Sequence, residues 1–154
     1  MKQDFLLNNS FAFWIHRLNH VLQEQFNQRL KGYDVSWPQW MVLNVLYTDS
    51  SITPAVIASQ LGIDRSGVTR LLDRLEKKDY LLREHDKLDR RSVNLSLTNK
   101  GQSLINEMND VAKEHQNDFL KDLHSSERLA YKKAMQKILK TSGIESGVLW
   151  QRLD

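Results

Sequence analysis

The chain has no cysteine, which excludes disulfides, thiol redox sensing, cysteine-ligated zinc and a cysteine nucleophile together. Glycine is scarce at six residues and proline scarcer at two. There is no phosphate-cradling glycine loop, no G-x-S-x-G and no H-E-x-x-H. Hydrolytic catalysis has no motif to rest on, so neither enzyme activity nor a cofactor is expected. No apolar run approaches the roughly 18 residues of a membrane span, and Met1-Lys2-Gln3-Asp4 leads straight into mixed sequence. A cytoplasmic protein, off the membrane, is the expectation. Charge of one sign is also in short supply. A net charge of +3 and a pI near 9.2 permit a polyanionic partner without demanding one. Between positions 64 and 91 nine bases face seven acids, so a case for nucleic acid must rest on where the bases stand.

What is present is organised around positions 53 to 73. Thr53 suits a helix cap, Pro54 the first helical position, and Gly62 a stop. Asp64 offers a second cap, after which Val68, Leu71, Leu72 and Leu75 give the next helix one apolar face. Its other face carries Arg65, Ser66, Thr69, Arg70 and Arg74. Two helices this short need small residues at their crossing, and Ala58 and Gly62 stand four apart there. The pattern resembles a helix-turn-helix, whose second helix enters the major groove.

The stretches 80–85 and 92–97 read as two strands, the second alternating apolar and polar residues. Between them lies Asp86-Lys87-Leu88-Asp89-Arg90-Arg91, a charged hairpin of the kind called a wing. Leu95-Ser96-Leu97-Thr98-Asn99-Lys100-Gly101 follows. With the Asp89-Arg90-Arg91 wing and this Leu-Thr-x-x-Gly exit, the segment from about 35 to 101 resembles the MarR family of winged helix-turn-helix regulators.

The flanks are helical. From 10 to 31 the residues Phe11, Trp14, Ile15, Leu18, Val21, Leu22 and Phe26 share one side of a helix that Gly32 is expected to end. Ser36-Trp37-Pro38-Gln39 has the form of a capping box and opens a helix to about 47, apolar nearly all round. Ile52 is expected to form a short extended stretch beside the wing strands. Thr98 caps a long helix ending near His124, and Ser125 caps another that reaches Ser142-Gly143. The tail from 144 to 154 keeps Ile144, Val148, Leu149, Trp150 and Leu153. The expected fold is mainly α with a small β wing. It is one domain over 1–154, with a core at about 35–100 and dimerisation helices at 10–31 and 99–154.

The resemblance implies a homodimer whose outer helices interlock, bound to a palindromic operator in double-stranded DNA. It also implies a sequence-specific regulator associated with the nucleoid, a repressor that a small molecule releases. Arg65, Ser66, Thr69, Arg70 and Arg74 would face the groove, and Lys87, Arg90 and Arg91 of the wing the backbone or minor groove, with Asp89 orienting a wing arginine. In such proteins the ligand pocket lies where dimerisation helices meet the core. Here that would bring Phe13, His16, Arg17 and His20 near Trp40 and Met41, a set suited to a planar aromatic carboxylate. Two other functions stay open: a DNA-organising protein with no ligand, and a metal-dependent regulator using His16 and His20 with Glu24, although no fourth ligand stands nearby.

Overall fold

A computed structural model describes residues 6–49, 52–85 and 93–141. After a short 3-10 turn at Leu7–Asn9, helix α1 spans Phe11–Arg29, α2 Trp37–Thr48, α3 Pro54–Leu61 and α4 Arg65–Lys77. Strands β1 (Leu81–His85) and β2 (Val93–Leu97) follow, then α5 (Asn99–Phe119) and α6 (Ser125–Thr141). The mainly helical fold with one antiparallel hairpin agrees with the expectation from sequence.

The core is built on α2. Val42, Leu43, Val45 and Leu46 are all buried, while Tyr47 near the end of the helix is exposed. Around it close Phe26 of α1, Ile57 of α3, Val68, Leu72 and Leu75 of α4, Leu95 of β2, and Ile105 and Met108 of α5. Gln39 is the polar member of α2's first turn, and its side-chain oxygen accepts the Ser36 N–H at 3.0 Å, as a capping box requires.

The hairpin pairs Leu81 with Leu97, Arg83 with Leu95 and His85 with Val93. Ile52 adds a bridge on the far side of β2, where its carbonyl accepts the Leu95 N–H at 3.2 Å. The short extended stretch expected there is present.

Three local expectations are corrected. Helix α1 does not end on Gly32; it stops at Arg29 and tightens into a 3-10 turn over Leu30–Tyr33. The left-handed residue that reverses the chain is Asp34, at φ 51°. A short polar side chain tolerates that conformation, so aspartate replaces the expected glycine. Helix α5 ends at Phe119 and not near His124. The carbonyls of the turn that follows are taken by Arg128 of α6, which donates to Leu120 at 2.7 Å and Leu123 at 3.0 Å. The cap of α6 is accordingly His124, whose N–H donates to Glu127 at 2.8 Å, and not Ser125.

Candidate nucleic-acid interface and adjoining cavity

Helix α4 separates its two faces sharply. Val68, Leu72 and Leu75 are buried, while Arg65, Ser66, Thr69, Arg70 and Arg74 are all exposed. The start of the helix is fixed by Asp64, whose carboxylate accepts the Gly67 N–H at 2.8 Å and the Ser66 hydroxyl at 2.5 Å. The Ser66 hydroxyl and then the Gly67 N–H hold that carboxyl below the usual aspartate range, so the cap is charged at neutral pH. Glycine at 67 is needed for room, since a Cβ there would meet Ile63 at 2.9 Å and Asp64 at 3.1 Å. Gly62 serves differently from the close-crossing role expected of it. A Cβ there would meet open space, and its left-handed φ of 63° is what calls for glycine.

Two of the five exposed side chains are partly committed. Ser66 turns back to Asp64, and the Thr69 hydroxyl donates to the Arg65 carbonyl at 2.9 Å. Among the described residues no carboxylate forms an ion pair with Arg65, Arg70 or Arg74. Three guanidinium groups on one exposed face, each free to turn, can reach base edges or phosphates.

Arg83 ties this helix to the hairpin. From β1 it reaches Asp73 at 2.6 Å and Glu76 at 3.3 Å, both on α4. Helix α4 and strand β1 are therefore tied together by these two ion pairs. Wing residues Lys87, Asp89, Arg90 and Arg91 lie outside the described residues, as does the tail from 144 to 154.

A cavity of about 960 Å³ opens between α1, α2, α5 and α6, within the size range of small-molecule pockets. Leu18, Leu22 and Phe26 of α1 form one wall, and Trp37, Trp40, Asn44 and Tyr47 of α2 another. Ala112, Lys113, His115 and Phe119 of α5 face them, and Tyr131 of α6 closes an edge. Phe26 is the centre of an aromatic cluster, with ring centres 5.2 Å from Trp37, 4.8 Å from Trp40 and 5.3 Å from His115. Asn44 donates to Asn109 at 2.8 Å across the wall between α2 and α5.

Of the six residues expected at a ligand site, only Trp40 is in the lining. Phe13 is half-buried with its ring edge-on to Trp14 at 5.5 Å, and Met41 is half-buried away from the cavity. His16 and Arg17 are exposed, and His20 sits 3.8 Å from Glu24 in solvent. The cavity uses the apolar side of α1, and these residues stand on the other. For the same reason His16, His20 and Glu24 do not assemble with others; among the described residues no three potential metal ligands stand together.

His115 is the residue that sequence reasoning missed. It is 4% exposed, and the other buried residues of α5 are Gly101, Ile105 and Met108, none of them polar in its side chain. Burial first, and then the positive Arg29, push its pKa below the ordinary histidine value; the Leu22 carbonyl and Asp118 oppose them. Arg29 itself pairs with Asp118 at 2.6 Å, and that contact holds Asp118 below the usual carboxylate range. The signal was in the sequence, because Met108, Ala112, His115 and Phe119 follow one stripe of α5.

Among the described residues no helix is long and apolar enough to cross a membrane.

A family model described as MarR family matches residues 35–93. The HTH-type transcriptional regulator TtmR of Methylorubrum extorquens is 30% identical over 102 residues, 66% of this chain and 52% of TtmR. The chain thus spans about half the length of that relative. The HTH-type transcriptional regulator MgrA of Staphylococcus aureus is 25% identical over 113 residues, 73% of this chain and 77% of MgrA. In structure the chain is similar to a mutant MarR from E. coli complexed with operator DNA. The TM-score is 0.81 at 26% identity, covering 88% of this chain and 99% of that one.

Proposed function

Because the chain belongs to the MarR family of winged helix-turn-helix transcription regulators, we propose that it binds a palindromic operator in double-stranded DNA as a homodimer and represses until a small aromatic ligand enters its cavity. The observation that carries the DNA-binding part is the exposed row of Arg65, Arg70 and Arg74 on a helix whose opposite face buries Val68, Leu72 and Leu75. A helix held that way presents its first turns to a major groove, where arginine reads guanine and threonine or serine assist. The structural relative solved on operator DNA supports the same use. Of the wing residues, Lys87, Arg90 and Arg91 supply the positive charge for phosphate or minor-groove contacts, and Asp89 orients an arginine for them.

The dimer has its own support. Phe11, Trp14, Leu129, Tyr131 and Ile138 expose large apolar surface on the two outer helices, and α6 buries no residue within its own subunit. A helix this long needs an apolar partner, which a second copy supplies. The cavity lies where these helices meet α2, so a ligand in it bears on both. Its rings accept a planar aromatic molecule. Arg17, His16 and His20, expected to hold a carboxylate, stand outside the lining.

Selection of the full-length protein on random duplexes tests the proposal. The expected product is a palindrome with half-sites about one helical turn apart. Replacing Arg90 and Arg91 by alanine is expected to flatten the salt dependence of binding. Enrichment of no sequence, with wild type and Arg65→Ala/Arg70→Ala binding alike, would exclude a sequence-specific regulator.

A further inference from the structure

The exposed face of α4 carries two hydroxyls among its arginines, and the protons of both are already engaged. Thr69 donates to the Arg65 carbonyl at 2.9 Å, a bond within one helix that a rotation of its side chain breaks. The Ser66 hydroxyl is held differently. It donates at 2.5 Å to the Asp64 carboxylate, whose same oxygen accepts the Gly67 N–H at 2.8 Å. A charge-assisted bond of this length is about twice as strong as a neutral one, and its acceptor cannot turn away without uncapping the helix. The cap stays ionised at neutral pH, because these contacts hold its carboxyl below the usual aspartate range. An ionised carboxylate only accepts, so the hydrogen of the pair belongs to Ser66. The serine oxygen is left with its lone pairs. Ser66 is exposed in the first turn of α4, the part of a recognition helix that reaches base edges.

A serine in a groove is ordinarily ambiguous, since its hydroxyl can donate or accept. Here the helix cap removes the ambiguity. We infer that Ser66 is a specificity-determining residue that accepts a hydrogen bond from a base amino group, adenine N6 or cytosine N4, and that Asp64 fixes this polarity. This rests on α4 being the helix that reads the groove, as proposed above. In the major groove those two bases present a donor, whereas guanine and thymine present the acceptors O6 and O4. A keto oxygen set against a bare lone pair makes no hydrogen bond, and both atoms lose the water that held them, so guanine or thymine is penalised at that position. The neighbouring arginines have the opposite polarity, since a guanidinium only donates and suits guanine.

Selection of full-length wild type, Ser66→Ala and Asp64→Gly on a random duplex library, followed by fluorescence anisotropy on the wild-type consensus, tests the assignment. The expectation is one position of each half-site where wild type selects adenine or cytosine and Ser66→Ala accepts any base, every other position keeping its preference. Glycine is tolerated at a helix cap, and without the carboxylate the hydroxyl is free to donate, so Asp64→Gly should admit guanine and thymine at that position. Replacing the selected base by an analogue that lacks the amino group, purine for adenine or 2-pyrimidinone for cytosine, should weaken wild-type binding about tenfold more than Ser66→Ala binding. That comparison carries the test if Asp64→Gly does not fold by circular dichroism. Guanine or thymine selected by wild type at the position that Ser66→Ala relaxes, a folded Asp64→Gly protein that keeps the wild-type choice, a Ser66→Ala protein that selects the unchanged sequence, or an equal loss with the analogue overturns the assignment and leaves the regulator standing. A library from which none of the three proteins enriches a sequence overturns the regulator and the assignment with it.

Discussion

Replacing Gly101 by alanine should destabilise the protein by about 2 kcal/mol or more, although alanine is the better helix former. Gly101 lies in the first turn of α5, its N–H donating to the Thr98 hydroxyl at 2.9 Å. An added Cβ would stand 2.0 Å from the Tyr80 carbonyl oxygen, 2.9 Å from its carbon and 3.2 Å from its Cα. That is more than 1 Å short of an ordinary contact, and the obstacle is backbone, which cannot swing aside. The start of α5 must therefore move off the end of the loop before β1. Three interactions go with it. The Thr98 N–H donates to Tyr80 at 3.2 Å and the Thr98 hydroxyl to Asp79 at 2.7 Å, worth about 1 kcal/mol each. Lys100 sits over the Tyr80 ring at 4.8 Å, worth about 0.5–1 kcal/mol at an exposed site. Helix propensity returns about 1 kcal/mol, which leaves a net loss of about 2 kcal/mol before any remaining overlap. For a chain of this size the melting temperature should fall by about 4–8 °C. Circular dichroism melting of Gly101→Ala beside Gly32→Ala measures it, because a Cβ at 32 meets nothing within 4 Å. The reasoning fails if Gly101→Ala melts within about 1 °C of the wild type, or if the Gly32 control falls as far.

Arg65→Ala and Arg70→Ala should each weaken specific DNA binding by about 1–3 kcal/mol if each reads a base, measured by fluorescence anisotropy on the selected site; two unaffected variants would remove α4 from the groove. Arg83→Ala should lower stability by about 1 kcal/mol at low salt and by less at high salt, since its partners Asp73 and Glu76 are half-exposed. Urea unfolding at two ionic strengths checks this, and a loss independent of salt would mean that Arg83 acts through packing. His115 is held neutral in the folded chain, so its folded pKa lies below its unfolded one near 6.5. The unfolded state binds the proton first, and stability is fully present above about pH 6.5 and declines as pH falls below it towards the folded pKa. His115→Gln should lose that part of the decline, and wild-type and variant curves of the same shape between pH 7 and 5 would refute it.

Much of the DNA-binding half was legible because its signals are local. A cap such as Asp64 announces itself by residue type, the apolar repeat Val68, Leu72 and Leu75 by its period, and the hairpin by alternation around Leu95. Ile52 could be placed beside β2 for a similar reason, being one apolar residue in a polar loop with a strand edge to cover. The end of α1 was less legible. Glycine and aspartate both take the left-handed conformation, and choosing Gly32 over Asp34 depended on how far the helix tightens in its last turn, which packing of Leu30 decides.

The cavity was misplaced for a deeper reason, which bears on how such sites are found. Period identifies which side of α1 is apolar, but an apolar stripe reads the same whether it faces packed side chains or empty space. Leu18, Leu22 and Phe26 looked like core, and Phe26 is core, yet the same stripe lines the cavity. The opposite side of α1, with His16, Arg17 and His20, has the chemistry to hold a carboxylate but faces away from the cavity. What distinguishes a cavity stripe from a core stripe is a polar residue that the core would reject. His115 interrupts the run from Met108 to Phe119 on α5, and Asn44 interrupts α2, where its amide meets Asn109 across the same wall. A buried polar group costs free energy unless it is paired, so each interruption calls for a partner. Asn44 has one in Asn109; His115 Nε2 and Trp40 Nε1 do not. Two adjacent helices whose apolar stripes are broken by polar residues at facing positions are thus a stronger pointer to a ligand site than any cluster of exposed charge.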